Sequence, residues 1–262
     1  MAGNIPLKHK RFSVILYCLL LFLAGLLLPR FFLGLLSENS KEQYAFILQY
    51  GLSAFQEILM LGLPALLLYM TYYGKQDLFD QFALPDSYQA GLSMISAVSF
   101  TLAGSLLVVF WLAILTSFGY EPFVPMMRNP VSPLQYVGAF IFAALIPAVS
   151  EELLFRGVLL RLIKQTKGEK AALYLTSILF AVLHLSVEGF PALLVIGGLL
   201  AKMALKYNGL FLPILFHMVY NMAAIVINAS NTVPSLQAML LCVAVFVLSV
   251  RALMRDGEQG KA

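Results

Sequence analysis

The stretch LQYVGAFIFAALIPAVSEELLFRGVLLRL, residues 134–162, decides how the rest of the chain is read. It is apolar over more than the roughly 20 residues that a membrane-spanning helix needs, and it contains no cluster of turn formers. It nevertheless carries Glu151, Glu152 and Arg156 well inside the run. An ionisable side chain in a bilayer costs at least about 2.5–3.5 kcal/mol, so such residues turn inward and mark a site. Glu152 and Arg156 are four apart and share one helix face, where an ion pair offsets part of both desolvation costs. Glu151 points about 100° away. One carboxylate is thereby spoken for, and the other is available for chemistry.

The composition of the whole chain agrees with a lipid solvent. Of 262 residues, 61% are hydrophobic and 11% charged, against roughly 45–50% and about 25% in a soluble domain. A soluble globular fold and a disordered chain are both excluded. The apolar runs predict an all-α, polytopic membrane bundle of about eight transmembrane helices: 12–36, broken near Pro29 and Arg30, 44–73 with Glu57 mid-span, 91–118, 134–162, 171–185, 191–205, 209–227 and 236–254. The first run follows Lys8, Lys10 and Arg11, but it is too long for a signal peptide and lacks a cleavage site, so a retained span is expected. Cys18 and Cys242 lie in apolar runs and read as small core residues. Tyr72, Tyr73 and Trp111 suit interfacial anchors. No basic, aromatic-interleaved tract suggests nucleic acid.

The basic residues set an orientation. With the N-terminus in the cytoplasm, that side receives Lys8, Lys10, Arg11, Lys75, Arg161, Lys164, Lys167, Lys170, Lys202, Lys206, Arg251, Arg255 and Lys261. The opposite side receives Arg30, Lys41 and Arg128. This asymmetry predicts both termini in the cytoplasm. No internal repeat is visible, and the chain divides into helices 1–3 (1–133, ending in the Pro-rich stretch 121–133), a core of helices 4–7 (134–228), and a last helix with its tail (229–262).

Of the three histidines, His9 belongs to the basic tail. His184 and His217 fall on the fifth and seventh predicted spans, and Asn221 shares a face with His217. In lipid an unpaired imidazole has no water to turn to, which makes a role in a site more expected than in a soluble core. A free glutamate, two imidazoles and an amide from three helices can hold and activate water, with the glutamate as general base and His217 with Asn221 at a developing oxyanion. Alternatively Glu151, His184 and His217 ligate a zinc ion with one position left for water. Both routes hydrolyse an acyl bond, most readily a peptide. Neither an H-E-x-x-H nor a G-x-S-x-G signature is present. Polar residues also lock transmembrane helices together at about 0.6–2 kcal/mol per bond, the plain alternative reading. For Glu57 a structural bond or a protonated acid is as fitting as catalysis. Glu188, four residues after His184, either orients that ring or is a loop carboxylate.

E-E-x-x-x-R at Glu151, Glu152 and Arg156, F-x-x-x-H at Phe180 and His184, and H-x-x-x-N at His217 and Asn221 resemble the three ordered motifs of the CPBP family, the CAAX prenyl proteases and bacteriocin-processing or immunity (Abi) proteins. The resemblance covers residues 134–227. It implies an intramembrane endopeptidase in which Glu151 activates water, His184 positions it, His217 and Asn221 stabilise the oxyanion, and Glu152 and Arg156 support the site. The family is described both as metalloproteases and as metal-free glutamate proteases, so zinc stays open. The implied partner is a membrane-associated peptide or protein, prenylated or not, reached from the cytoplasm of a bacterial plasma membrane. The rivals are a non-catalytic immunity or scaffold protein of the same fold and a proton-coupled transporter using Glu57, Glu151 and Glu152. Depth raises one conflict: His184 lies about 20 Å from residue 171 at 1.5 Å per residue, too far out unless 164–173 includes extra-membrane helix or turn.

Overall fold

The computed structural model describes residues 7–37, 44–122, 128–230, 232 and 234–256. His9, the charges of Lys8, Lys10, Arg11, Lys41 and Lys261, and residues 123–127 of the Pro-rich stretch lie outside what is described. Nine helices and no strand occur among the described residues: α1 Leu7–Leu35, α2 Ala45–Tyr72, α3 Lys75–Gln81, α4 Ser87–Ser117, α5 Pro133–Lys167, α6 Glu169–Leu183, α7 Phe190–Tyr207, α8 Phe211–Ala229 and α9 Leu236–Arg255. Seven of them are long and apolar enough to cross a membrane. Large apolar side chains such as Leu27, Phe110 and Leu241 are exposed on the outside of the bundle, where a soluble protein would carry charge. The chain is an integral membrane protein with an all-α, polytopic fold.

α6, the fifth of the expected spans, has only 15 residues and is not among the seven. α5 makes up the difference, running five residues beyond the expected end at Leu162 to Lys167, where the chain reverses at Gly168. Glu151 is 16 residues before Lys167 and His184 is 15 after Glu169, so both lie about 23 Å along an antiparallel helix pair from its turn. The depth conflict disappears because 164–173 holds a helix end and a turn.

α1 was expected to break near Pro29, but it continues to Leu35. Proline removes the backbone donor that would meet the Gly25 carbonyl; one residue on, the Leu26 carbonyl accepts Arg30 Nη1 at 2.6 Å. In α2 and α5 the same problem is solved by wider turns. π-helical segments at Ile58–Gly62 and Phe140–Leu145 immediately precede Pro64 and Pro147, where an i→i+5 pattern rearranges the carbonyls that a proline cannot satisfy.

α5 is the centre of the bundle, packing on α2, α6, α7 and α8, while α4 bridges α8 and α9. Apolar packing about Phe100, Phe155, Phe180, Leu200 and Phe216 joins α4 to α8. Buried serines add polar ties, with Ser96 and Ser249 hydrogen-bonded at 2.8 Å between α4 and α9. Near the α5 end, Arg161 makes a two-pronged pair with Asp77 of α3, at 2.5 and 2.9 Å. The Tyr69 hydroxyl donates to the same carboxylate. Tyr73, expected as an interfacial anchor, holds its ring 3.9 Å from the Arg161 guanidinium, a cation–π contact that pins α3 across the bundle end.

Candidate active site

The ion cluster of the site is built first from Glu152, which is fully buried on α5. Its Oε1 accepts Arg156 Nη1 at 2.7 Å and His217 Nδ1 of α8 at 2.9 Å. Arg156, also buried, extends Nη2 to the Gly197 carbonyl of α7 at 3.0 Å, and its guanidinium lies 4.6 Å from the centre of the Phe180 ring. Three helices are thereby tied to one carboxylate. Hydrogen bonds and an aromatic face offset part of what each charge loses on leaving water, while Glu152 Oε2 and Arg156 Nε are buried without a hydrogen bond among the described residues. The Gly197 carbonyl, which no charge or motif pattern marks, is reached because α7 approaches α6 closely: a Cβ on Gly197 would stand 3.1 Å from the Ser177 backbone.

The second part of the site is the pair Glu151 and His184. Glu151 faces away from the ion cluster, is 8% exposed, and leaves Oε2 without a hydrogen bond among the described residues. His184 caps the C-terminus of α6. Its Nδ1 donates to the Phe180 carbonyl at 2.7 Å, which turns Nε2 towards Glu151 Oε2 at 3.6 Å. That separation is too long for a direct hydrogen bond. A carboxylate oxygen and an imidazole nitrogen therefore face one another; when the ring carries its proton on Nδ1 alone both are acceptors, and one water molecule can bridge them by donating to both.

Phe180 organises both halves. Its ring centre lies 4.5 Å from that of His184 and 5.8 Å, edge on, from that of His217. Asn221 follows His217 one turn along α8, half buried, and its amide is not engaged by any described residue. His217 is already committed at Nδ1 to Glu152, so Nε2 is what it presents to the site. In the neutral ring that nitrogen accepts; it donates only when the ring carries a second proton, with Glu152 as counter-charge.

The structure thus brings Glu151, Glu152, Arg156, His184, His217 and Asn221 into one region. Glu188 accepts the Tyr120 hydroxyl at 2.6 Å, and His184 Nδ1 is held by the Phe180 carbonyl. Glu57 of α2 is a participant that no motif indicated. Its Oε1 is buried without a hydrogen bond among the described residues, and Glu151 is the charged group that acts on it. Mid-span position was its only signal in the sequence. No three His, Cys, Asp or Glu side chains among the described residues converge closely enough to hold a metal ion.

No curated protein and no solved structure matches the chain. Residues 133–223, about a third of its length, match the family model described as type II CAAX prenyl endopeptidase, Rce1-like. The match begins at the first residue of α5 and ends two residues after Asn221, so the segment that folds into this site is the segment that carries the CAAX-protease type of signature.

Proposed function

We propose that the protein is an intramembrane endopeptidase that hydrolyses a peptide bond in a membrane-associated peptide or protein. The observation that carries this reading is the facing of Glu151 Oε2 and His184 Nε2 at 3.6 Å within a segment matching CAAX-type endopeptidases. Water held between them gives one proton to Glu151 while its oxygen bonds to the scissile carbonyl carbon. The carbonyl oxygen gains the electron pair and is met by the Asn221 amide N–H and by His217 Nε2–H, the ring protonated against Glu152. Collapse of this adduct breaks the C–N bond as Glu151 passes its proton to the leaving nitrogen, giving a carboxylic acid and an amine; the acid's proton then passes to the amine, leaving a carboxylate and an ammonium. The bond from Arg156 Nη1 holds the Glu152 carboxylate in place throughout.

On this reading the water is activated by glutamate and imidazole, without zinc. The uneven distribution of basic residues supports cytoplasmic termini and access to the site from the cytoplasm, and the membrane proposed is a bacterial plasma membrane. The substrate class is a tethered peptide or protein tail, with or without a prenyl group. An immunity or scaffold protein of this fold would need the ion cluster but not the bare Glu151 and His184 acceptors, and a transporter would need repeated halves that the chain lacks.

The test is cleavage of a panel of membrane-tethered peptides by purified protein in liposomes, comparing wild type with Glu151→Gln and His184→Ala, with and without a chelator. Cleavage lost in both variants and untouched by chelator is expected. Variants as active as wild type would overturn the reading, and chelator sensitivity would overturn its metal-free form.

A further inference from the structure

His184 is the last residue before a short connection to α7, and that connection is fastened to a helix far from it in sequence. The Trp111 indole of α4 donates Nε1–H to the Val187 carbonyl at 2.9 Å. The Tyr120 hydroxyl, just past the end of α4, donates to Glu188 at 2.6 Å. Tyr120 is itself firmly placed. Gly119 has φ +83°, a left-handed conformation available to glycine at little cost. The turn closes with Tyr120 N–H to Leu115 O at 3.1 Å and Gly119 N–H to Thr116 O at 3.0 Å, the paired bonds of a glycine-terminated helix end. The two anchors therefore belong to a rigid helix terminus and not to a loop.

What they hold is under strain. Leu185, next to His184, has φ +51°, a region that a γ-branched L residue occupies only when its surroundings impose it. Packing does not impose it here. Between α4 and this connection lies a cleft of about 410 Å³ bordered by Trp111, Val182, Leu185 and Phe190. Beside this cleft the backbone is held by Leu185 N–H to Val182 O at 3.0 Å, which closes the end of α6, by Gly189 N–H to Ser186 Oγ at 3.0 Å within the turn, and by the two bonds from α4. Release of residues 187 and 188 lets Leu185 relax. The relaxation is felt first at His184, whose backbone it adjoins and whose Nε2 stands at 3.6 Å from Glu151.

We propose that Trp111 and Tyr120, with Glu188 as the acceptor of the Tyr120 hydroxyl, are positioning residues that set the His184 imidazole against Glu151. This rests on the endopeptidase reading for its effect on turnover. Trp111 and Tyr120 lie outside residues 133–223, so the α4 end supplies part of the site's alignment from beyond the matched segment.

The test uses the full chain in liposomes and four substitutions. Trp111→Phe and Tyr120→Phe each delete one donor and keep the ring; Glu188→Leu deletes the acceptor; Glu188→Gln keeps an acceptor oxygen. The expected result is a fall in kcat of about tenfold for each of the first three, at unchanged KM, with Glu188→Gln close to wild type. The recovery of kcat in Glu188→Gln relative to Glu188→Leu is what a general weakening of the fold would not reproduce. A second readout does not need turnover. With three histidines in the chain, the imidazole NMR signals are separable, and Tyr120→Phe and Trp111→Phe shift that of His184 while leaving that of His217 in place. A His184 signal unmoved in both variants, or a Glu188→Gln as slow as Glu188→Leu, overturns the proposal. A wild type that cleaves nothing overturns the endopeptidase reading alone, since the His184 signal still tests the clamp.

Discussion

His217 donates Nδ1–H to Glu152 Oε1 at 2.9 Å, joining α8 to α5 through a carboxylate that already neutralises Arg156. The bond fixes which nitrogen of His217 is left for the site and couples the stability of the bundle to its chemistry. Glu152→Ala leaves the Arg156 guanidinium buried without a counter-charge, a loss of about 3–5 kcal/mol for a broken buried pair. Thermal unfolding in detergent should show a large drop. Glu152→Gln, which preserves the shape, should unfold at a temperature between those of Glu152→Ala and wild type. An unfolding temperature for Glu152→Ala equal to that of wild type would mean that Arg156 finds another partner.

Glu57 is expected to behave in the opposite way. A buried carboxyl oxygen with no hydrogen-bond partner, placed near the charge of Glu151, contributes nothing to stability that an amide would not. Glu57→Gln should therefore unfold at or above the wild-type temperature. A loss above about 1 kcal/mol would reveal a hydrogen bond to Glu57 in the folded protein.

Gly197→Ala tests the close approach of α7 to α6. The added methyl meets the Ser177 backbone at 3.1 Å, and backbone cannot swing aside as a side chain can. The expected cost is about 1–3 kcal/mol. Because the same residue's carbonyl receives Arg156, cleavage should fall with it. Full stability and full activity in this variant would show that α7 can slide without disturbing the ion cluster.

Asp77 supplies a pH dependence. The Arg161 guanidinium hydrogen-bonds its charged form, and the Tyr69 hydroxyl adds to this, so the Asp77 carboxyl titrates below the usual carboxylate range. A lowered value in the folded state means that the stabilisation is fully present above about pH 4 and is lost as pH falls through the lowered value. At pH 7 Asp77→Asn should unfold no more than about 4 °C below wild type, since the pair is partly exposed and screened. The gap should close as pH drops below about 4. A gap that widens in acid would contradict the assignment.

Much of the site was legible because charge is scarce in lipid. Glu151, Glu152, Arg156, His184 and His217 stood out against apolar surroundings, and the i,i+4 spacing of Glu152 and Arg156 foretold a bond that the structure contains. The limits of legibility are equally physical. The Gly197 and Phe180 carbonyls are backbone atoms, which every residue has, so nothing in the sequence marks the ones that hold Arg156 and His184. Pro29 looked like a helix break because it removes one backbone bond, yet the rest of the turn ladder carries α1 on to Leu35. The end of α5 at Lys167 was open in the sequence because the polar residues 164–167 suit either extra-membrane helix or turn; they complete the helix.

The brevity of α6 bears on the membrane itself. Fifteen helical residues reach about 22 Å, whereas bilayer hydrocarbon is about 30 Å thick. A helix of this length crosses only where lipid thins or where headgroups and water dip inward. On the endopeptidase reading such a dent would bring water to a reaction that consumes it, and lipid chain length would set access to the second substrate.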